Sequence, residues 1–397
     1  MSGGVDSALA AALLAEEGWE VIGITLRLWT PEGEAENLNI RGCCSLEAVE
    51  DARAVARRLG IKHYVLNFRD IFEQDVVEYF ALEYRRGRTP NPCIACNRRV
   101  KFERLLVRAR ALGADRLATG HYARIRWDPE RNRHLLLRPQ DRRKDQTYVL
   151  YAMTQPQLAR TLFPLGGLTK QETRNRARKM GLPVADKAES QDLCFIPGGD
   201  YRSFFEGRGE EAPEPGPFLD LRGRVLGTHR GIPYYTVGQR RGLGIPGPHP
   251  LYVVGIDPDR NAVLLGDDSE THADGLIVSD TNLIPFEDLE GEIRARVKIR
   301  YGSPAVPATV TRETQSGDRY VSETGSRAVM GAEAGSSPQG QTVTGAGVSP
   351  DPGRWIIRFD RPQRAVTPGQ AAVLYDAGTG DTVLGGGTID QALPKYP

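Results

Sequence analysis

The stretch S-G-G-V-D-S at residues 2–7 decides the fold. Its two adjacent glycines let the backbone approach an anion with no Cβ in the way. An alanine-rich apolar run at residues 8–15 follows at once and predicts a helix that ends near Gly18. A glycine-rich turn that leads into a helix N-terminus directs several backbone N–H groups, and the positive end of the helix dipole, at one point. We therefore predict a phosphate-binding site here.

This loop differs from the Walker phosphate loop, whose lysine reaches the β- and γ-phosphates, because no lysine occurs before Lys62. The hexapeptide instead resembles the pyrophosphate loop of the N-type ATP pyrophosphatases, which implies cleavage of ATP between the α- and β-phosphates and adenylation of a carbonyl oxygen. The alternative is an ordinary helix N-cap formed by Asp6 or Ser7. The complete hexapeptide leading into an apolar helix favours the nucleotide. A buried strand precedes the loop in that family, so we expect a strand upstream of Met1.

The composition indicates two or three domains without a strong charge bias. The chain has 397 residues, with 52 Lys and Arg against 51 Asp and Glu and a net charge of +1, so a nucleic-acid-binding surface must be local. Its longest apolar run is far shorter than the ~20 residues that span a membrane, and no signal peptide is visible. Five cysteines, an odd number, favour a reducing compartment. We predict a cytoplasmic protein with no membrane partner.

Strand and helix patterns alternate over the first half of the chain. β-branched runs predict strands at residues 21–26, 64–66 and 116–119. Apolar residues spaced three to four apart predict helices over residues 45–59, 70–86 and 99–113. This alternation predicts an α/β fold with a parallel sheet. Ligands of such sheets bind at the carboxyl ends of the strands, where Leu26 and Gly120 are located.

The pattern changes near residues 205–215, after which Gly and Pro become frequent and short alternating runs predict antiparallel strands. We predict a PP-loop ATP pyrophosphatase domain at residues 1–208, a small β-rich central domain at 209–274 and a C-terminal β-barrel at 275–397. Residues 323–353 are rich in Gly, Ser, Ala and Pro. They cannot bury enough apolar surface to order themselves, so they predict a disordered insertion.

The cysteines allow several interpretations. Cys93 and Cys96 form a C-x-x-C pair that prolines and asparagines flank, which predicts a shaped loop between two helices, and Cys194 lies far along the chain. A zinc site lacks a fourth ligand, and the local pattern does not fit a thioredoxin-like pair. Three thiolates suffice for an Fe–S cluster with one open iron. Alternatively, one thiolate carries a persulfide and another resolves it, with the cations at positions 98, 99 and 101 lowering the thiol pKa. Adjacent cysteines at 43 and 44 are interpreted as small apolar residues without a role.

Taken together, these motifs strongly resemble the bacterial tRNA-specific 2-thiouridylase family over nearly the whole chain. The motifs that carry the resemblance are S-G-G-V-D-S (2–7), G-R-T-P-N-P-C-I-A-C-N (87–97), T-G-H-Y-A (119–123), K-D-Q-T-Y-V-L (144–150), E-S-Q-D-L-C-F (189–195), T-V-G-Q-R-R-G-L-G (236–244), V-K-I-R-Y (297–301), T-P-G-Q-A-A-V (367–373) and L-G-G-G (384–387).

The resemblance implies an enzyme that uses ATP and Mg²⁺ to adenylate the C2 oxygen of the wobble uridine, U34, in the anticodon loop of tRNA. Sulfur then replaces that oxygen, with Cys194 bearing a persulfide and Cys96 as the partner thiol in a transient disulfide. A cysteine desulfurase or sulfur-carrier protein would supply the sulfur. The implied ATP-binding residues are Met1, Ser2, Gly3, Gly4, Val5, Asp6, Ser7, Leu26 and Gly120. The implied contacts to the target base and tRNA are Asn91, Pro92, Cys93, His121, Lys144, Asp145, Gln146, Arg300, Tyr301 and Gln370.

Position 93 departs from one branch of the family, which carries Asp there as a possible acid or base. With Cys93, a [4Fe–4S] cluster on Cys93, Cys96 and Cys194 competes with the persulfide relay; no other metal ligands are assigned. Two further functions stay open. One is an ammonia-using ligase on the same nucleotide fold, as in the GMP synthetase and NAD synthetase groups, which needs no distant reactive cysteine. The other is a non-catalytic RNA-binding protein.

Overall fold

The computed structural model describes residues 1–29, 46–188, 193–196, 201–207, 213–246, 249–313 and 353–394. The helices are α1 (Val5–Glu16), α2 (Leu46–Leu59), α3 (Arg69–Phe72), α4 (Tyr79–Arg85), α5 (Pro92–Ala95), α6 (Leu106–Ala111), α7 (Gln155–Ala159), α8 (Lys170–Lys179) and α9 (Tyr201–Gly207). The strands of the first half are β1 (Ile22–Arg27), β2 (Lys62–Asn67), β3 (Leu117–Ala118), β4 (Arg124–Asp128), β5 (Arg133–Leu137) and β6 (Thr161–Leu162). No helix in these ranges has the length and hydrophobicity that a bilayer crossing requires.

The predicted parallel pairing is confirmed. Strand β1 pairs with β2, and β3 pairs with β6, each in parallel. Among the described residues these are two separate pairs, and the N-terminal loop lies between them. Met1 bonds to β1, because its ammonium donates to the Ile24 carbonyl and its own carbonyl accepts from Thr25 Oγ1 at 2.7 Å. Helix α1 is buried by its small apolar side chains and shares a core with α8.

Two long helices contain π-helical stretches. Residues Glu73–Glu78 join α3 to α4, and Cys96–Leu105 join α5 to α6. The second helix corrects the sequence prediction, which placed its start near residue 99 and treated the C-x-x-C pair as a loop. The helix begins at Pro92, because Asn91 caps it and proline suits the first helical position. Cys93 therefore lies in the first helical turn and Cys96 opens the π-helical stretch. Such stretches are frequent at functional sites.

The central part of the chain forms a small four-stranded sheet. Its strands are β7 (Gly216–Asp220), β8 (Val225–His229), β9 (Tyr252–Asp257) and β10 (Ala262–Gly266). Their order is β8-β7-β10-β9. Strands β7 and β10 run parallel, and the other neighbours run antiparallel.

The C-terminal part is an antiparallel barrel, as predicted. Its strands are β11 (His272–Leu283), β12 (Glu292–Lys298), β13 (Val306–Arg312), β14 (Trp355–Arg364), β15 (Ala371–Asp376) and β16 (Thr382–Pro394). They follow the order β11-β14-β13-β12-β15-β16, and pairing of β11 with β16 closes the barrel around fully buried Trp355. The predicted insertion at 323–353 lies outside the described residues, except for Gly353. The domain boundaries near 208 and 274 stay predictions.

A feature that the sequence did not indicate connects the first half to the barrel. Strands β4 and β5 form an antiparallel hairpin, and β5 pairs with barrel strand β16 through Leu137 opposite Thr382 and Leu136 opposite Val383. Asp381, just before β16, accepts from the guanidinium groups of Arg124 and Arg142. The first half and the barrel therefore share one continuous sheet.

Candidate active site

The N-terminal loop presents its backbone to an incoming anion. Gly4 is the N-cap of α1, and no side chain in the described part of the chain caps that helix, so the alternative in which Asp6 or Ser7 is the N-cap is wrong. Gly3 has φ +70°, and a Cβ there would lie 2.4 Å from the Ala48 carbonyl oxygen, so only glycine fits. Ser7 Oγ accepts from the Ser2 N–H at 3.0 Å and donates to the Gly4 carbonyl at 3.1 Å, which fixes the turn.

The end of β3 lies directly against this loop. A Cβ on Gly120 would be 2.8 Å from both the Asp6 carbonyl carbon and the Ser7 nitrogen. The structure thus brings Gly120 to the loop, while half-buried Leu26 lies near the end of β1. The predicted ATP-binding residues around the loop are therefore close in space, and their contact with nucleotide stays a prediction.

Asp6 is held by two side chains from distant parts of the chain. Lys170 Nζ lies 2.7 and 2.8 Å from its two carboxylate oxygens, and the Tyr122 hydroxyl donates to Oδ1 at 2.9 Å. That hydroxyl also lies 3.0 Å from Thr173 Oγ1 on α8. Sequence reasoning missed Lys170 and Tyr122. The only local signal for Lys170 is its position just after Thr169, in a T-x-x-E capping box that marks the start of α8.

His121 follows Gly120 and is enclosed by apolar rings. Its Nδ1 is 2.7 Å from Thr119 Oγ1, and its ring lies 6.0 Å from those of Phe102 and Phe163. Burial, followed by the charge of Lys101, holds the pKa of His121 well below its usual value. The imidazole is therefore neutral at pH 7. Its predicted contact with tRNA stays a prediction.

Asn91 positions the cysteine pair. Its side-chain oxygen accepts from the backbone N–H of Cys93 at 3.0 Å and of Ile94 at 3.4 Å. Cys93 is exposed, whereas Cys96 is buried three residues later in the same helix. Burial, then the Asp145 carboxylate and then Cys93 raise the pKa of Tyr301. The contact of Cys93 and Tyr301 with the target base stays a prediction.

Cys194 is half-buried and packs against the same hydrophobic core to which Cys96 belongs. Its neighbour Phe195 is almost fully buried, edge-on to Phe72 at 5.8 Å and Phe80 at 5.2 Å. Both predicted catalytic thiols therefore contact one large apolar cluster, which also includes Phe218 of the central sheet and Val383 of the barrel. Within the described ranges, which include all three cysteines of the cluster hypothesis, no group of three or more His, Cys, Asp or Glu is arranged to hold a metal ion. The arrangement does not fit an Fe–S cluster.

Several predicted tRNA contacts are engaged within the protein. Asp145 is buried and accepts from Arg138 Nε at 2.7 Å, while the Gln146 side chain accepts from the Tyr122 N–H at 2.8 Å. Gln370 Nε2 donates to the Thr89 carbonyl at 2.8 Å. The bonds of Gln146 and Gln370 hold backbone groups, and that of Asp145 holds the Arg138 side chain. The predicted contacts with tRNA stay predictions.

The surface beside the C-x-x-C helix carries cations and aromatic rings. The Tyr301 ring is 47% exposed, and Lys298 Nζ lies 5.4 Å from its centroid and 5.8 Å from that of Tyr148. Burial lowers the pKa of Lys298. The Arg300 guanidinium donates to the Arg364 carbonyl at 3.3 Å. The exposed Tyr301 ring beside Lys298 is suited to stacking on an unstacked base, whereas the Tyr148 ring is fully buried.

The comparisons with known proteins agree with this architecture. The family model "tRNA methyl transferase HUP domain" matches residues 1–198, "tRNA methyl transferase PRC-barrel domain" matches 202–267 and "Aminomethyltransferase beta-barrel domain" matches 339–389. The "tRNA-specific 2-thiouridylase MnmA" of Pelotomaculum thermopropionicum is 50% identical over 98% of this chain and 96% of that protein. The chain belongs to the tRNA-specific 2-thiouridylase family.

Two further members of the family are similarly close. The protein of the same printed name from Moorella thermoacetica is 50% identical over 98% of this chain and 98% of its own length. The one from Carboxydothermus hydrogenoformans is 48% identical over 99% of this chain and 97% of its own length. The similarity thus covers the α/β part, the central sheet and the barrel, and it includes both the N-terminal loop and the C-x-x-C helix.

Proposed function

We propose that this protein is a tRNA-uridine 2-sulfurtransferase that consumes ATP and replaces the C2 oxygen of the wobble uridine, U34, with sulfur. The observation that carries the proposal is the 50% identity to a 2-thiouridylase over 98% of the chain. The geometry supports it, because an open backbone loop for phosphate and a pair of thiols within one core occur in the same half of the molecule.

The nucleotide would bind with its phosphates against the first amides of α1. Attack of the uridine C2 oxygen on the α-phosphate forms an O-adenylate and releases pyrophosphate, so that AMP can later leave in place of oxide. Backbone N–H groups and a helix dipole suit the charge that develops on the departing pyrophosphate. Asp6 is the residue of this loop that offers the carboxylate oxygens Mg²⁺ prefers, and the ion would supply further charge neutralisation.

Sulfur would arrive as a persulfide on Cys194. In this proposal, the outer sulfur of the persulfide is transferred to C2, AMP leaves, and the Cys96 thiolate attacks the inner sulfur to form a Cys96–Cys194 disulfide. A thiol reductant then restores both thiols. Cys96 is buried and Cys194 is half-buried, so approach of the two sulfurs is part of the proposal. Cys93 is exposed and would meet the flipped base at the start of the helix. Uridine 34 is unpaired in the anticodon loop, so flipping it is inexpensive.

The test is mass spectrometry of the wobble nucleoside after incubating the purified protein with unmodified tRNA, ATP, Mg²⁺ and a cysteine desulfurase with cysteine. The wild-type protein should form 2-thiouridine. Cys194→Ser and Cys96→Ser should form none yet still release pyrophosphate when tRNA is present. Cys44→Ser, at a position with no assigned role, is the matched control and should keep full activity. Undiminished thiolation by Cys194→Ser would contradict the persulfide relay.

The Fe–S cluster hypothesis can be tested on the same purified protein by visible absorbance. Anaerobically purified protein should lack the broad visible absorbance of an Fe–S cluster and should form 2-thiouridine without added iron. Absorbance of that kind, lost together with activity in Cys93→Ala, would favour the cluster over the persulfide.

A further inference from the structure

Lys170 is fixed beside the nucleotide loop by its own helix start. The capping box holds the first turn of α8, because Thr169 Oγ1 accepts from the Glu172 N–H at 3.2 Å and the Glu172 carboxylate accepts from the Thr169 N–H at 2.7 Å. The Lys170 N–H also donates to Asp141 Oδ2 at 3.0 Å. Its side chain is only 12% exposed and ends at Asp6. A lysine held in this way has lost most of its side-chain freedom before any ligand arrives.

The charge of Lys170 decides whether an anion is tolerated at the loop. Asp6 lies in the first turn of α1, where the loop amides point, and its negative charge would repel a pyrophosphate group placed there. Lys170 balances that charge at 2.7 and 2.8 Å. Tyr122 gives the carboxylate a second donor. The carboxylate thus keeps a hydrogen bond when the ammonium turns towards another anion.

We propose that Lys170 binds the pyrophosphate part of ATP directly and so supplies from α8 the cation that a Walker loop carries within its own sequence. This inference rests on the proposed function, because it concerns the same nucleotide site. In the ligand-free protein, Lys170 pairs with Asp6. When ATP binds, the ammonium moves to the β-phosphate oxygens and stays with pyrophosphate as it leaves, while Asp6 keeps its bond to Tyr122. No proton or covalent bond changes at the lysine.

The experiment measures binding of inorganic pyrophosphate and of a non-hydrolysable ATP analogue by calorimetry, with and without Mg²⁺ and without tRNA. Lys170→Met should weaken both about tenfold to a hundredfold, since it removes a charged hydrogen-bond donor. Lys170→Arg should recover most of the affinity. Lys179→Met, an exposed lysine at the other end of α8, is the matched control and should bind as the wild type does. Melting temperatures of all variants separate lost binding from lost folding.

A double variant separates direct contact from simple neutralisation. If Lys170 only cancels the charge of Asp6, then Asp6→Asn combined with Lys170→Met will restore pyrophosphate binding in the absence of Mg²⁺, and the proposal is overturned. Direct contact predicts that the double variant stays as weak as Lys170→Met. Unchanged binding by Lys170→Met also overturns it. Failure of the proposed function looks different: the wild type would bind pyrophosphate through Lys170 and yet form no 2-thiouridine.

Discussion

The nucleotide loop and the cysteine helix are built by different means. At the loop, the proposed functional groups are backbone amides, and the side chains of Lys170 and Tyr122 hold Asp6. At the cysteine helix, the functional groups are side chains on a helix whose start depends on one capping residue, Asn91, and on the barrel, through the bond from Gln370 to Thr89.

Because of this difference, the two regions should tolerate different substitutions. A site formed by backbone amides is sensitive to larger side chains at its glycines, because an added Cβ collides with the loop backbone. A side-chain site on a helix fails when the helix start shifts, and so it is sensitive to lost hydrogen bonds some distance away. Substitutions at the two regions should therefore damage different partial reactions, nucleotide binding at one and sulfur transfer at the other.

The largest effect is expected at Gly120. In Gly120→Ala the new methyl group would sit 2.8 Å from the Asp6 carbonyl carbon and displace the loop, so affinity for ATP should fall about a hundredfold. Calorimetry with the non-hydrolysable analogue measures this. Gly167→Ala is the matched control, because nothing lies within 4 Å of a Cβ there. Wild-type ATP affinity in Gly120→Ala would contradict this prediction, because it would show that the close approach of Gly120 to the loop does not affect nucleotide binding.

Substitution of Asn91 tests the role of the helix start at the cysteine helix. Asn91→Ala loses the cap and should lower the free energy of unfolding by about 1 kcal/mol, with slower 2-thiouridine formation and unchanged ATP binding. Asn91→Ser keeps a capping oxygen and should keep both stability and thiolation. Chemical denaturation and product analysis of the two variants give the answer. Wild-type stability with lost thiolation in Asn91→Ser would instead assign Asn91 a direct contact with the base.

Gln370 should show a smaller effect of the same kind. Gln370→Leu removes the bond from the barrel to the Thr89 carbonyl and should cost about 0.5 kcal/mol of stability, with thiolation slowed and pyrophosphate binding unaffected. Gln363→Leu is the control, because that side chain donates to the nearby carbonyls of Arg361 and Pro362. A loss of tRNA affinity in Gln370→Leu at unchanged stability would show a nucleic-acid contact rather than a support for the helix.

The last effect is spread over a range of pH. Burial and Lys101 lower the pKa of His121, so below about pH 6.5 the unfolded chain binds a proton that the folded chain refuses. Stability should therefore fall on acidification by up to about 1.4 kcal/mol per pH unit from this group. In His121→Gln the decline between pH 7 and pH 5.5 should be shallower, as measured by urea unfolding. His249→Gln, at an exposed position, is the control. A slope in His121→Gln equal to that of the wild type would show that His121 accepts its proton in the fold.

The sequence predicted the loop well and its partners poorly, for a physical reason. The loop can be predicted from six consecutive residues, because its conformation depends on adjacent glycines and backbone amides. The order of α and β elements and the barrel strands also follow from local patterns. Lys170 lies 164 residues from Asp6, so only the folded chain brings them together. The pairing of β5 with β16 depends on a register between distant segments.

The predicted start of the cysteine helix is wrong, although the sequence contains a helix-start pattern. Asn91 followed by Pro92 is a helix-start pattern, and it was interpreted as a loop because two prolines and two asparagines occur close together. The exposed fraction of Cys96 and its shared core with Cys194 depend on tertiary packing. No spacing along the chain indicates them.

The strand junction between Leu137 and Thr382 bears on how the enzyme could be taken apart. A fragment ending before the barrel would keep β5 but lose its neighbour, which would leave a row of unsatisfied amides and carbonyls of the kind that recruits other chains into aggregates. Anyone who wishes to express the nucleotide-binding half alone, or graft it onto another RNA-binding module, must supply a substitute for the first residues of β16.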